Sequence, residues 1–243
     1  MHAWGLTDPG MIRSENQDEF RIIKLSRDQL LAVVCDGMGG AKSGNVASRI
    51  ACDIFCEEIK RSTRSGMKQD RIDALMKDAM DLANQAVYEQ SQLGDAYKGM
   101  GTTLVAAFFQ KDTVTVINVG DSRAYLCTSE GIHCITVDHS VVEMMVRRGE
   151  ITREQAKTHP GKNLITRAVG TEPEVESDLF HLQIEKGSAV VLCSDGLSNT
   201  MSDQEILFEV VHGINRQDCC QRLVKISNYR GSPDNVTVVL VSY

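Results

Sequence analysis

The sequence predicts an α+β fold in which antiparallel sheets pack together and helices lie outside them. Three observations carry this. Strand-like runs rich in β-branched and aromatic residues recur at short spacing after Gly101, two long amphipathic helical patterns precede them as a block, and two more helical patterns interrupt the later strands. That order lacks the regular strand–helix alternation of a parallel sheet. With 243 residues, four prolines and no polar linker, low-complexity segment or repeat, the chain reads as one domain, 1–243.

In chain order, "EFRIIKL" and "QLLAVVC" are strands joined by a turn around Ser26 to Asp28. "SGNVASRIACDIFCEEIKR" carries Val46, Ile50, Ile54 and Ile59 near helical spacing. "RIDALMKDAMDLANQAVYEQ" has a clean stripe of Ile72, Leu75, Met76, Ala79, Ala83, Ala86 and Val87, which is core packing. "TTLVAAFF", "TVTVINVG", "SRAYLC" and "GIHCITV" suggest an antiparallel meander. "SVVEMMVRRG" and "TREQAKT" read as short helices. "SDLFHLQI" and "SAVVLCSDG" return to strand, "SDQEILFEVVHG" and "RQDCCQRLVKISNYR" to helix, and "NVTVVLVSY" to strand.

Hydrophobic residues make up 42% and charged residues 24% of the chain, as in ordinary globular proteins. No apolar run is long enough to span a bilayer and no basic-then-apolar leader is present, so a cytoplasmic protein without its own anchor is expected. The net charge of −7 argues against nucleic-acid binding, which relies on basic surface. The eight cysteines form no Cys-x-x-Cys pair and have no matching histidine spacing. Cys35 and Cys193 end apolar runs, and Cys52 and Cys56 lie one helical turn apart. Reduced, partly buried thiols in a reducing compartment are the expectation.

The acids are less ordinary. Asp36 follows "LLAVVC", Asp121 follows "TVINVG", Asp195 follows "AVVLCS", Asp234 precedes "NVTVVLV", and Asp18 stands just ahead of the strand that pairs into "LLAVVC". Four or five carboxylates at one edge of a core repel and desolvate each other unless a hard divalent cation collects them, and two cations suit this many ligands best. Gly37 and Gly196 allow the tight turns and close backbone approach such a site needs. All-oxygen donors select Mg²⁺ or Mn²⁺ over zinc. "VINVGDSRAYL" on its own also reads as a plain hairpin turn.

In order, "RSENQD", "VVCDGMGG", "GMGTTLVAAF", "VGDSRAYL", "NLITRAVG", "LCSDGLSN" and "SPDNVTVVLV" resemble the motifs of the metal-dependent protein phosphatases, the protein phosphatase 2C family, in its compact bacterial serine/threonine form. The resemblance runs from about Leu6 to Val241. It implies a sandwich of two antiparallel β-sheets flanked by helix pairs on both faces, with a flap at about 139–165. By position it makes Asp36 the carboxylate bridging two metals, with the Gly37 carbonyl on the first and Asp195 and Asp234 on the second. Asp18 would hold metal-bound water from behind, Asp121 with Asp195 would hold a weaker third ion, and Arg13 would take the substrate phosphate. Arg13, Asp18, Asp36 and Asp121 are thus the implied catalytic set.

The resemblance implies a Mg²⁺- or Mn²⁺-dependent phosphatase that hydrolyses phosphoserine and phosphothreonine by attack of a metal-bridging hydroxide. It further implies a monomer that opposes a bacterial membrane serine/threonine kinase and acts on that kinase's substrates. Met38 departs from many members, which place a histidine there as acid for the leaving group. His139, His159 or a metal-bound water are the available substitutes. An inactive binding module, a phosphatase of small metabolites and a structural calcium protein are the competing readings. The intact acid set opposes the first, and the lack of a D-x-D-x-D-G loop opposes the last.

Overall fold

The computed structural model describes residues 1–213 and 215–243, the side chains of 40–42 excepted. Its first strand, His2–Asp8 (β1), is one the hydrophobic pattern does not announce. Asp18–Lys24 (β2) and Gln29–Met38 (β3) follow as an antiparallel pair, as expected, and then the helices Gly40–Ser62 (α1) and Gln69–Ser91 (α2). Next come Gly101–Thr102 (β4), Leu104–Gln110 (β5), Thr113–Val119 (β6), Arg123–Thr128 (β7) and Gly131–Cys134 (β8). The flap region holds two short helices, Val141–Arg147 (α3) and Arg153–Thr158 (α4). Asp178–Gln183 (β9), Ala189–Cys193 (β10), Asp195–Ser198 (α5), Asp203–His212 (α6), Cys219–Tyr229 (α7) and Val236–Ser242 (β11) complete the described strands and α-helices, and a 3-10 turn at Asp95–Tyr97 precedes β4.

Among the described residues the strands form two antiparallel sheets. One runs β1-β11-β10-β7-β8, the other β2-β3-β5-β6-β9 with β4 on the end of β3. The alternation of β3 shows why two sheets stack. Leu30, Ala32 and Val34 face β10 and β11 residues such as Val190, Leu192, Val239 and Val241 in a layer between the sheets. Leu31, Val33 and Cys35 face α1 and α2. A strand buried on both faces is continuously apolar, as this one is. A third apolar layer joins α6 and α7 to the outer face of the other sheet, through residues such as Ile206, Val210, Leu223 and Val224 against Val191 and Val238. The order of layers is therefore helix, sheet, sheet, helix.

Two details depart from the sequence pattern. The meander is broken, because β6 and β7 belong to different sheets and the chain crosses the sandwich at Gly120 to Ser122. On α1 the buried face is Ala47, Ala51, Cys52, Phe55, Cys56 and Ile59, while Val46 and Ile50 sit at its margin and Ile54 is exposed. Alanine and cysteine there let α1 lie close on β3 and α2, while Phe55 and Ile59 fill the remaining space of that layer. All eight cysteines are free thiols and seven are buried, in the two helix-facing layers rather than between the sheets. No helix among the described residues is long and apolar enough to cross a membrane.

Candidate active site

The sheets' meeting edge gathers the five predicted acids. Asp36, near the end of β3, stands opposite Asp18 of β2 in the strand register. The threonines of "GMGTTLV" hold it. Its N–H donates to Thr103 Oγ1 at 2.9 Å, and its carbonyl accepts from the Thr103 N–H at 2.8 Å and Thr102 Oγ1 at 2.9 Å. Asp195 is the first residue of α5 and Asp234 precedes β11, so both come from the other sheet. Asp121 lies in the crossing between β6 and β7, which replaces the hairpin that its local sequence suggests. Gly37 is needed for approach rather than turning: a Cβ there would lie 2.1 Å from the Gly44 carbonyl oxygen and 2.6 Å from that of Gln17. A Cβ on Gly196 would lie 1.9 Å from the Asn235 carbonyl oxygen.

Asp36, Asp121, Asp195 and Asp234 line one cleft of about 610 Å³, with Arg13 on one side and the flap residues Asn163 and Ile165 on another. Asp18 lies beneath it, 7% exposed. Its Oδ2 accepts from Ser194 Oγ at 2.7 Å and Thr237 Oγ1 at 2.6 Å, which ties β2 to the ends of β10 and β11. Its Oδ1 is buried with no partner, and so is Oδ1 of Asp195, whose Oδ2 accepts from Asn199 at 3.0 Å. A second concavity, near Arg27, Lys111 and Tyr243, contains none of the five acids.

Burial and mutual repulsion raise Asp18, Asp36, Asp121 and Asp195. Burial pushes Asp18 up to about 7 against the pull of its two hydroxyl donors, and Asp195 and Asp234 add to the rise. Burial, then Asp195 and Asp138, takes Asp121 to about 7, and burial with Asp234 takes Asp195 to about 6. Asp36 is raised well above the usual range by burial and by all four neighbours, Asp18, Asp195, Asp121 and Asp234. Two carboxylates about 4 Å apart repel by roughly 4 kcal/mol at an effective dielectric near 20, against a whole-domain stability of about 5–15 kcal/mol. The described cleft wall offers five acids (Glu15 is the fifth) and one cation, Arg13. Its Nη2 donates to Asp234 Oδ2 at 2.9 Å, so the predicted phosphate-binding arginine is paired with a predicted metal ligand.

One organising residue escapes sequence reasoning. Asn235 is buried and accepts from the Gln17 N–H at 2.8 Å, and its Nδ2 donates to the Pro9 and Glu15 carbonyls, both at 3.0 Å. It thereby fixes the loop that carries Arg13 beside Asp234. The signal available was the position of an amide directly after an acid, which is common in turns.

The protein phosphatase 2C sequence profile matches residues 13–225. The chain belongs to the protein phosphatase 2C family. It is 36% identical over 242 residues to a Listeria welshimeri protein named serine/threonine phosphatase stp, covering 99% of this chain and 95% of that one. Among solved structures it is similar to serine/threonine phosphatase Stp1 from Staphylococcus aureus, with TM-score 0.94 and 36% identity over 99% of this chain and 94% of that one. It is also similar to the S. agalactiae serine/threonine phosphatase, with TM-score 0.93 and 35% identity over 99% and 98% of the two chains.

The site of this phosphatase 2C chain fits divalent cations. Two orphaned buried carboxylate oxygens, the gathered carboxylates of Asp18, Asp36, Asp121, Asp195 and Asp234, and glycines that admit the backbone form a hard, all-oxygen donor set. Among the described residues no three such side chains close on one point. Of the candidate acids, His139 is buried with both ring nitrogens engaged, and His159 Nδ1 accepts from the Gly161 N–H at 3.0 Å. The thiol next to the site is inert: Cys193 is fully buried and its pKa is raised by that burial. Cys193→Ala is therefore expected to retain most turnover in a phosphatase assay, and a collapse without loss of fold would point instead to a thiolate nucleophile.

Proposed function

We propose that this serine/threonine phosphatase hydrolyses phosphoserine and phosphothreonine in proteins with two Mg²⁺ or Mn²⁺ ions held by Asp36, the Gly37 carbonyl, Asp195 and Asp234. Asp18 would act from beneath as an acceptor, and Asp121 with Asp195 would hold a weaker third ion. The observation that supports this most is the convergence of five carboxylates, two with orphaned buried oxygens, beside a single arginine. Bound cations of this kind activate water as the nucleophile and neutralise phosphate oxygens. The chain's own residues do the rest.

Arg13 presents a planar fork suited to phosphate and, half-exposed at the rim, exchanges its Asp234 bond for substrate oxygens. Asp18 stays behind the cleft as an acceptor, held by Ser194 and Thr237. Met38 has no proton to give, so the leaving alkoxide takes its proton from water ordered near Asp121. The proposed unit is one catalytic domain, 1–243, with a flap at about 139–165. It works as a cytoplasmic monomer on phosphoproteins, among them a membrane serine/threonine kinase and that kinase's substrates.

The deciding experiment is hydrolysis of a phosphothreonine peptide with Mn²⁺, without it, and with EDTA, beside a panel of small phosphorylated metabolites. Metal-dependent release from the peptide supports the reading. Release from metabolites alone moves the function to small molecules, and full release in EDTA ends it. Asp121→Ala tests the proton route. Its loss of turnover is expected to be about 100-fold on an alkyl phosphate and much smaller on p-nitrophenyl phosphate, whose leaving group needs little protonation. Equal losses on both would remove the leaving-group role.

A further inference from the structure

Gly120, immediately before Asp121, has both backbone polar groups engaged by one residue. Its N–H donates to Nδ1 of His139 at 3.0 Å, and its carbonyl accepts from the His139 N–H, also at 3.0 Å. His139 is 7% exposed and stands where the flap leaves the sandwich. On the far side of the ring, Nε2 lies 3.2 Å from Asp178 Oδ2 at the start of β9. Arg167, where the flap returns, donates from Nη1 to the other oxygen of Asp178 at 3.0 Å. The two roots of the flap therefore meet on one carboxylate, and the imidazole joins that carboxylate to the turn carrying Asp121.

The hydrogen bonds fix the tautomer. Nδ1 accepts the Gly120 N–H and so carries no proton, which leaves the hydrogen of the neutral ring on Nε2, donated to Asp178. The 3.1 Å approach of Arg167 Nη1 to that same nitrogen is a contact between two donors that share Asp178, not a bond between them. Burial lowers the His139 pKa, which keeps the Nδ1 lone pair available. The turn has no slack to absorb a change. Gly120 has φ 108°, and a Cβ there would lie 2.5 Å from Thr103 Cγ2. Thr103 Oγ1 also meets Ser122 Oγ at 2.7 Å from beneath.

We propose that His139 is a positioning residue that clamps the Asp121 turn to the flap roots and so sets the cation affinity of the site Asp121 shares with Asp195. It acts through Gly120 and touches neither substrate nor ion. The inference rests on the reading of Asp121 as a cation ligand.

Isosteres separate the two ends of the ring. His139→Asn places an amide oxygen near the position of Nδ1, keeping an acceptor for Gly120 while losing Asp178. His139→Gln reaches toward Asp178 and leaves the Gly120 N–H without an acceptor. Mn²⁺ binding to each full chain is followed by titration calorimetry, with thermal melting beside it and Asp121→Ala as reference. Asp121→Ala is expected to remove the weakest class of Mn²⁺ sites. His139→Gln is expected to weaken that class about tenfold and leave the tighter sites unchanged, with His139→Asn close to wild type. Asp178→Ala, at a half-exposed position that tolerates truncation, serves if a His139 variant fails to fold. It is expected to weaken the same class about threefold by freeing the ring.

Wild-type binding by His139→Gln, or by Asp178→Ala where it stands in, while Asp121→Ala loses the weak class, would overturn the clamp. So would equal weakening by the two His139 variants, which marks a merely structural ring. Wild-type binding by Asp121→Ala would instead overturn the reading of Asp121 on which the clamp depends.

Discussion

Asp36→Asn is expected to lower turnover by roughly 10³-fold or more, even in saturating Mn²⁺. Asp36 is the acid on which all the others act, raised by burial and by four neighbouring carboxylates. Neutralising it removes the negative centre around which cations would gather, while its backbone stays pinned by Thr102 and Thr103. The same change is expected to stabilise the metal-free protein, because repulsion is relieved. Each kcal/mol regained appears as about 2–4 °C in Tm for a domain of this size. Asp234→Asn is expected to match the loss of turnover without the gain in Tm, since it also weakens the bond from Arg13. Turnover of Asp36→Asn near wild type, measured on a phosphothreonine peptide, would place Asp36 outside the chemistry.

Chelation is expected to abolish turnover and to change how stability depends on pH. Asp18 and Asp121 are raised to about 7 and Asp195 to about 6 in the folded chain. Between the unfolded value near 4 and those folded values, the native state therefore binds more protons than the unfolded state. Their contribution to stability is fully present below about pH 4 and is lost as pH rises through about 6 to 7. In EDTA, Tm should thus fall across that window. With Mn²⁺ at about 100 times its Kd the carboxylates are wanted in their charged form, and Tm at pH 7.5 should rise by about 5–10 °C. Thermal melts from pH 4.5 to 8, with and without Mn²⁺, check this. A metal-free Tm that climbs with pH would mean that these acids are not raised in the folded chain.

The α+β class and the acid constellation are readable because both rest on strong local signals, apolar strand runs beside amphipathic helices and an acid at the end of an apolar run, while the two-sheet sandwich is legible only through the ordered motifs that resemble the family. What it hides depends on partners far away in the chain. β1 has little apolar character and exists through its pairing with β11, Trp4 opposite Leu240 and Leu6 opposite Val238. The crossing at Gly120–Ser122 looks like a hairpin because a turn's residues do not record which sheet the next strand joins. The α1 face is only partly legible: Ile59 is buried as its spacing suggests, but Ala47, Ala51, Cys52, Phe55 and Cys56 take the buried positions a pattern search gives to Val46, Ile50 and Ile54. His139 reads as a possible proton donor until its two ring nitrogens are seen to be occupied, and Asn235 reads as a turn residue until three distant backbone groups are found around its amide.

The place of β11 has a consequence for the order in which the molecule is made. This strand lies between β1 and β10, and Asp234 and Asn235 immediately precede it. On the ribosome, domains form from the N-terminal side at about 5–20 residues per second, so β1 emerges early and waits for a neighbour more than 200 residues downstream. Until that neighbour arrives, the edge strand β1 is cut off from β10, Asp18 lacks Thr237, and Arg13 lacks Asp234. With Asp234 in the proposed role, a nascent chain without β11 would be silent. On that reading, competence would come with the closing of that sheet.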